Sequence, residues 1–341
     1  MTGTLPQKNN LDSLRLLGAG AVLFSHSWPI GMGKPYPTIF DIPIGRIGVY
    51  LFFFISGLLI TQSATRSKSA KVFFINRALR IYPGLIACVL LTAIILGPLA
   101  SNLNVIEYFS NKETWLYLQN MSGVKLEANL PGVFNNNHLK TVNGSLWTLP
   151  YEIACYFIFY LIAKQKSKTA SLILLASIFT CATVQLLSDS GTNLPFANQH
   201  TERLSRLLIP FSIGSLLATH SKLNERNSII IVSLASLMLL AWSKNSIHEI
   251  ATIIATCSLT TLIAFHTPKF NLTPIKWGDF SYGLYIYAFP VQQVLSQALH
   301  PQSSREIAAY IITSIAITTI IARISWIFIE KPALKLKPAS K

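Results

Sequence analysis

A chain of 341 residues that is 51% hydrophobic, 12% charged and of mean hydropathy +0.46 is too apolar for one soluble domain. It reads as an all-α polytopic membrane protein, a single transmembrane domain over residues 1–341. The net charge of +15 does not point to nucleic acid, because the basic residues are spread over short loops and form no recognised binding motif.

The opening stretch MTGTLPQKNN is polar and lacks a basic region followed by a small-residue cleavage site, so the first helix is expected to stay attached. That helix, Leu11 to Ile30, carries Arg15 and His26 in an otherwise apolar run. Their spacing is close to three turns, so both side chains project from nearly one face, roughly 16 Å apart along the axis. An ionisable group in hydrocarbon costs about 2.5–3.5 kcal/mol even on the lenient insertion scale, and normally faces protein or a wet cavity. From this helix alone two readings stand: a functional pair, or Arg15 snorkelling to the interface with His26 hydrogen-bonded in the core.

A second span is read from about Gly45 to Ala64. The segment after it, RSKSAKVFFINRALRIYP, is the densest basic stretch and is expected in the cytoplasm, which places the N-terminus there too. Span three is read from Ile81 to Ala100, with Pro83 in its first turn. Residues 101–145 form a long polar connection expected to fold over the outer mouth. Spans four to ten follow at about 146–163, 170–187, 204–219, 229–242, 250–265, 280–299 and 308–329, leaving 331–341 as a basic cytoplasmic tail. With about ten spans both termini are cytoplasmic, and most of the 28 Lys and Arg fall on that side. Trp28, Trp147, Trp242, Trp277 and Trp326 fall near span ends, as interfacial anchors do. No internal repeat is evident, which weakens an inverted-repeat transporter.

The four cysteines all lie in apolar runs without a CxxC, so neither a disulfide nor thiol chemistry is inferred. Of the seven histidines only His26 lies well inside a span, and none is spaced with another for metal binding, so no metal is expected. There is no GxSxG elbow and no P-loop. Glu152, early in span four, needs a partner or serves to fix helix packing. Glu330 and Lys331 close the last span, where an interfacial ion pair is the plain reading. Arg77 and Arg80 share a helical face and are either topology determinants or a phosphate site, since guanidinium binds phosphate in bidentate fashion.

The stretches RLLGAGAVLFSH, GVYLFFFISGLLIT, RALRIYP, NGSLWTLPYEIACY, FSYGLYIYAFPV and ISWIFIEKP together resemble, in order, the integral-membrane acyltransferase family 3 from Leu11 to Pro332. The resemblance implies an O-acyltransferase of the bacterial inner membrane. Its donor would be cytosolic acyl-CoA, with acetyl-CoA first, and its acceptor a hydroxyl of a cell-surface glycan or lipid-linked oligosaccharide. Many relatives carry an appended extracytoplasmic domain, and this chain ends twelve residues after Ile329, so a stand-alone module is expected. It departs from many relatives at Ala288, where they have a histidine, and at Ile153, where they have a second acid beside Glu152.

Acyl transfer from a thioester needs a base near the nucleophile and positive charge or donors at the developing oxyanion. On the resemblance, His26 is the general base, with an acyl-histidine intermediate as the variant, and Arg15 positions the donor or stabilises charge. Arg77, Arg80 and Tyr82 hold the donor, and Ser145, Trp147 and Glu152 orient the acceptor or the imidazole at the outer mouth. Arg323, Glu330 and Lys331 are structural or interfacial. The competing readings are a transporter or flippase for a glycan or small anion, and a non-catalytic relic.

Overall fold

A computed structural model of the protein describes residues 9–189, 198–220, 225–270, 272 and 278–338. Among them are ten long helices. These are α1 (Leu11–Met32), α2 (Ile44–Arg66), α3 (Ala70–Leu90), α4 (Leu149–Ala163) and α5 (Ser167–Asp189). The second half contributes α6 (Gln199–Thr219), α7 (Arg226–Trp242), α8 (Asn245–His266), α9 (Ser281–Leu299) and α10 (Ser304–Ser325). One two-stranded hairpin, Thr38–Ile39 with Ile42–Pro43, makes the described part helical but not purely so. Residues 1–8, Trp277 and residues 339–341 lie outside the described residues.

Six helical segments are long and apolar enough to cross a membrane, so the expected ten is not reached by length and composition. The helices that fall short include α1, α6 and α9. The physical reason is their polar load: α1 carries Arg15 and His26, α6 carries Arg203 and Arg206, and α9 carries Gln292 and Gln293. Apart from the exposed Arg203, these side chains face other helices or interior spaces, because α1 packs against α2, α9 and α10, and α6 against α2 and α5. Polar side chains that face a protein interior lower the hydropathy of the helix that carries them.

Span three begins eleven residues earlier than expected, at Ala70, where the Ser69 side chain caps the Val72 amide. Pro83 therefore lies well inside the helix rather than in its first turn, and Arg77 and Arg80, expected on one helical face ahead of the span, stand on the spanning helix itself. The helix continues to Ala100 through a π segment, Leu91–Leu96. The Ala93 carbonyl there accepts a bond from the buried Tyr108 hydroxyl at 2.8 Å.

The connection over residues 101–145 is ordered by its own short helices and by bonds to α9. Pro290 has no N–H, so the carbonyl of Ile286 one turn back loses its helical donor. Asn143 supplies a replacement, its Nδ2 donating to Ile286 O at 2.9 Å. Asn137 Nδ2 donates to Gln293 O at 2.9 Å, and Gln293 Nε2 donates to Leu139 O at 2.7 Å. Tyr285 O–H donates to Ser145 O at 2.8 Å.

Glycines set how closely the central helices approach. A Cβ on Gly48 of α2 would stand 2.7 Å from the Gly18 carbonyl of α1. One on Gly57 of α2 would overlap the Phe211 carbonyl of α6, and one on Gly214 would overlap the Phe54 carbonyl. Backbone-to-backbone contact of this kind is how membrane helices gain dispersion energy without a hydrophobic drive between them.

Gly57→Ala is expected to lower the thermal midpoint of the detergent-solubilised protein, at a cost of about 1–3 kcal/mol, because a carbonyl cannot rotate aside as a side chain does. Gly20→Ala, with open space around it, should leave the midpoint unchanged or raised.

Candidate active site

Arg15 sits one turn into α1, and its Nη1 donates to Asp279 Oδ2 at 3.1 Å. Arg80 of α3 bonds the same oxygen through Nη2. Asp279 lies in the turn entering α9, so one carboxylate ties three helices together. Burial opposes its charge, but Arg80 and then Arg15 outweigh that and hold its carboxyl well below the usual carboxylate range. Asp279 carries no sequence signal of its own, because it stands outside any apolar run, just ahead of the aromatic stretch of α9. Its position next to that stretch was the available signal.

The paired arginines line a cavity of about 220 Å³, together with Arg77, Glu152, Tyr156, Tyr282 and Lys337. Arg77 packs over the Phe73 ring at 5.9 Å, and no carboxylate pairs with it among the described residues. Lys337 comes from the C-terminal segment, and its pKa is lowered by burial and by Arg77 and Arg80 nearby. The cavity is accordingly electropositive. A narrow neck of about 50 Å³ adjoins it, walled by Val49, Phe52, Phe53, Leu149, Tyr282 and Tyr285. Arg15 and Glu152 line both spaces.

Beyond the neck lies a larger cavity of about 430 Å³, which shares Val49 and Tyr285 with the neck and is lined by His26. His26 Nδ1 lies 2.8 Å from the Val22 carbonyl oxygen. A carbonyl only accepts, so Nδ1 carries the proton and Nε2 of the neutral ring carries the lone pair. Tyr36 and Phe289 hold the imidazole by edge contacts, with centroids at 5.7 and 5.3 Å. Ser25, whose hydroxyl is buried without a partner, lines the same cavity. Arg15 and His26 thus open onto one row of spaces from two levels of a single helix.

The other expected residues divide between these spaces and the packing around them. Trp147 lines the His26 cavity, with Arg203 stacked over its ring at 5.5 Å, and so is not a lipid-facing anchor. Glu152 is not grouped with Trp147: it borders the neck and the arginine cavity and accepts a bond from Tyr156. Ser145 is buried, and its carbonyl receives Tyr285, while Tyr82 reaches the long connection at Ser122 O, 3.1 Å away. Neither of these two lines the three spaces.

Glu330 is not at the surface with Lys331. It lies buried in a π segment, Trp326–Glu330, against Gly84 and Gly283, and accepts a bond from Ser325 Oγ at 2.9 Å. Lys331 is exposed, and Arg323 sits in the last turn of α10. Trp326 lies under Arg80, 5.8 Å from its guanidinium carbon.

Arg46, Arg203, Arg206 and Tyr50 also line the His26 cavity and were not singled out from the sequence, where these arginines resemble ordinary charges at span ends. Glu249 of α8 draws three of these residues together. Arg46 Nη1 donates to its Oε1 at 3.0 Å, Tyr50 bonds the same oxygen, and Arg206 Nε lies 3.5 Å from Oε2.

Residues 8–326 match the family described as acyltransferase domain. The chain is 31% identical to the O-acetyl transferase of Shigella phage Sf6, over 95% of this chain and 96% of that protein. It is 28% identical to nodulation protein 10 of Rhizobium leguminosarum bv. viciae, over 97% and 94%. It is 24% identical to the peptidoglycan O-acetyltransferase OatA of Listeria monocytogenes, over 96% of this chain and 56% of that protein. No solved structure matches.

Asp279→Asn should destabilise the solubilised protein by about 3 kcal/mol, the scale for leaving buried guanidiniums without their counter-ion. Because the folded-state carboxyl titrates below its unfolded value, its stabilisation is in full above about pH 4 and is lost only as pH falls through the lower folded value. The difference in unfolding free energy between wild type and Asp279→Asn should be flat from pH 5 to 8.

Proposed function

Because the chain belongs to the acyltransferase domain family, we propose that this multi-pass membrane protein is an O-acetyltransferase. It takes an acetyl group from cytosolic acyl-CoA and delivers it to a hydroxyl of a cell-surface glycan or its lipid-linked precursor. The observation that carries this reading is the row of connected spaces with guanidiniums at one end and a tautomer-fixed imidazole at the other. The names of the relatives support acetyl as the group and a glycan as the acceptor.

On this reading the arginine cavity faces the cytoplasm, with both chain termini on that side of a bacterial inner membrane. Arg77, Arg80 and Lys337 hold the donor's phosphates, with Arg77 the freest of them to do so. The pantetheine arm then lies through the neck, and the nucleotide stays in the arginine cavity. About 16 Å separates Arg15 from His26 along the helix, and the arm spans that interval. Arg15, held by Asp279, keeps the entrance to the neck positive.

At the far end the acceptor hydroxyl gives its proton to His26 Nε2 as its oxygen attacks the thioester carbonyl. The tetrahedral oxyanion is stabilised by N–H or O–H donors, for which the Ser25 hydroxyl is available. Collapse breaks the C–S bond, and the thiolate leaves with the proton held on the imidazole. The ester forms, and His26 gives the proton to the departing thiolate, which is released as the thiol; the imidazole is neutral again and no covalent histidine intermediate is required.

Membranes containing the protein, supplied with radiolabelled acetyl-CoA and the host glycan, should yield labelled glycan. His26→Ala should lower that rate by about 10²–10⁴-fold, the usual worth of a general base. Undiminished transfer, or label that crosses the membrane without becoming covalently attached, would remove the enzymatic reading in favour of transport. Arg77→Ala should raise the apparent KM for acetyl-CoA about tenfold, as loss of a charge-assisted phosphate contact does. An unchanged donor dependence would take Arg77 out of the donor site.

A further inference from the structure

The wall of the His26 cavity carries three guanidiniums, from Arg46, Arg203 and Arg206, and no carboxylate among the described residues. The carboxylates that partly neutralise them stand behind them. Glu249 pairs with Arg46 at 3.0 Å and Arg206 at 3.5 Å, and Glu202 lies 3.6 Å from Arg206. Each guanidinium offers five N–H donors, so these two anions leave the cluster with unspent donors and a surplus cation. Arg203 is the surplus member: it is exposed, stacked on Trp147, and bonded to the neutral Gln199 at 3.4 Å.

A neutral sugar hydroxyl needs only neutral donors and acceptors and gains little from an uncompensated cation. A cavity wall of one sign concentrates ligands of the other, and the planar fork of arginine fits phosphate and carboxylate oxygens. The donor's phosphates are assigned to the arginine cavity, on the other side of a neck of about 50 Å³. The anion that this wall suits must therefore arrive with the second substrate.

We infer that Arg203, with Arg46 and Arg206, forms a subsite for an anionic group carried by the acceptor within the same cavity as the hydroxyl that His26 deprotonates. The inference rests on the reading of this cavity as the acceptor side. The anion has two natural sources, the diphosphate joining a glycan to its lipid carrier and the carboxylate of an acidic sugar. Arg203 over Trp147 also supplies a flat, charged platform against which a sugar ring can lie.

The test uses purified full-length protein in nanodiscs and three probes built on one sugar: a short-chain prenyl diphosphate glycoside, a uronate-containing disaccharide, and its neutral counterpart. Calorimetry should show one anionic probe binding at least about tenfold tighter than the neutral one. Diphosphate preference identifies the lipid carrier, and uronate preference identifies the sugar. Arg203→Gln should abolish the preference, while Arg203→Lys keeps the charge and retains most of it; both variants should keep the wild-type thermal midpoint. Equal binding of all three probes, binding of none, or a preference that survives Arg203→Gln overturns the subsite. Transfer is measured separately: acetylation of a neutral acceptor without anion preference defeats the subsite alone. Anion binding that depends on Arg203, without acetyl transfer, defeats the enzymatic reading alone.

Discussion

One carboxylate governs the arrangement of helices α1, α3 and α9. Two guanidiniums brought out of water cost several kcal/mol each and repel one another across a short distance. Asp279 offsets both through a single oxygen, from a turn that belongs to neither arginine's helix. The result is a junction that cannot form until three segments far apart in sequence are in place. It also leaves Arg77 and Lys337 beside an anion whose charge is already committed, and the cavity they line stays positive. Electrostatic compensation is thus complete enough to hold the bundle and incomplete enough to attract a ligand.

The same logic repeats around Glu249, with a different balance. There a tyrosine and two arginines share one carboxylate, and a third arginine is left over. Glu249 stands behind its arginines as seen from the His26 cavity, whereas Asp279 lines the arginine cavity beside the two guanidiniums it pairs. Buried acids here act as anchors for cations. The unattached cations are what the cavities present.

Much of this was legible in the sequence, and for physical reasons. The Arg15 and His26 spacing is a statement about helix geometry, and α1 is a continuous helix over both. The stretches around Asn143 and Tyr285 stand out through the family resemblance, while the bond from Asn143 to the carbonyl that Pro290 leaves free is a tertiary contact that no local pattern encodes. Asp279 was not legible, because a lone acid between two segments looks the same whether it meets water or two arginines. Arg46, Arg203 and Arg206 were hidden by the rule that reads arginines near span ends as topology signals. Of the two readings of Glu330, the structural one fits its burial against Gly84 and Gly283, and the ion pair with Lys331 does not; no local pattern encodes the π segment in which it lies. The count of spans has the same root, since α1, α6 and α9 fall short of a spanning signal where they carry polar side chains.

The neck is small and mixed in character. Its free space is about 50 Å³, and Arg15, Glu152 and Ser56 stand in its lining beside Val49, Phe52, Phe53 and Leu149. A group that occupies it must give up most of its water to aromatic and aliphatic walls while staying within reach of one cation and one anion. The constriction therefore sorts what enters by shape and by polarity at once.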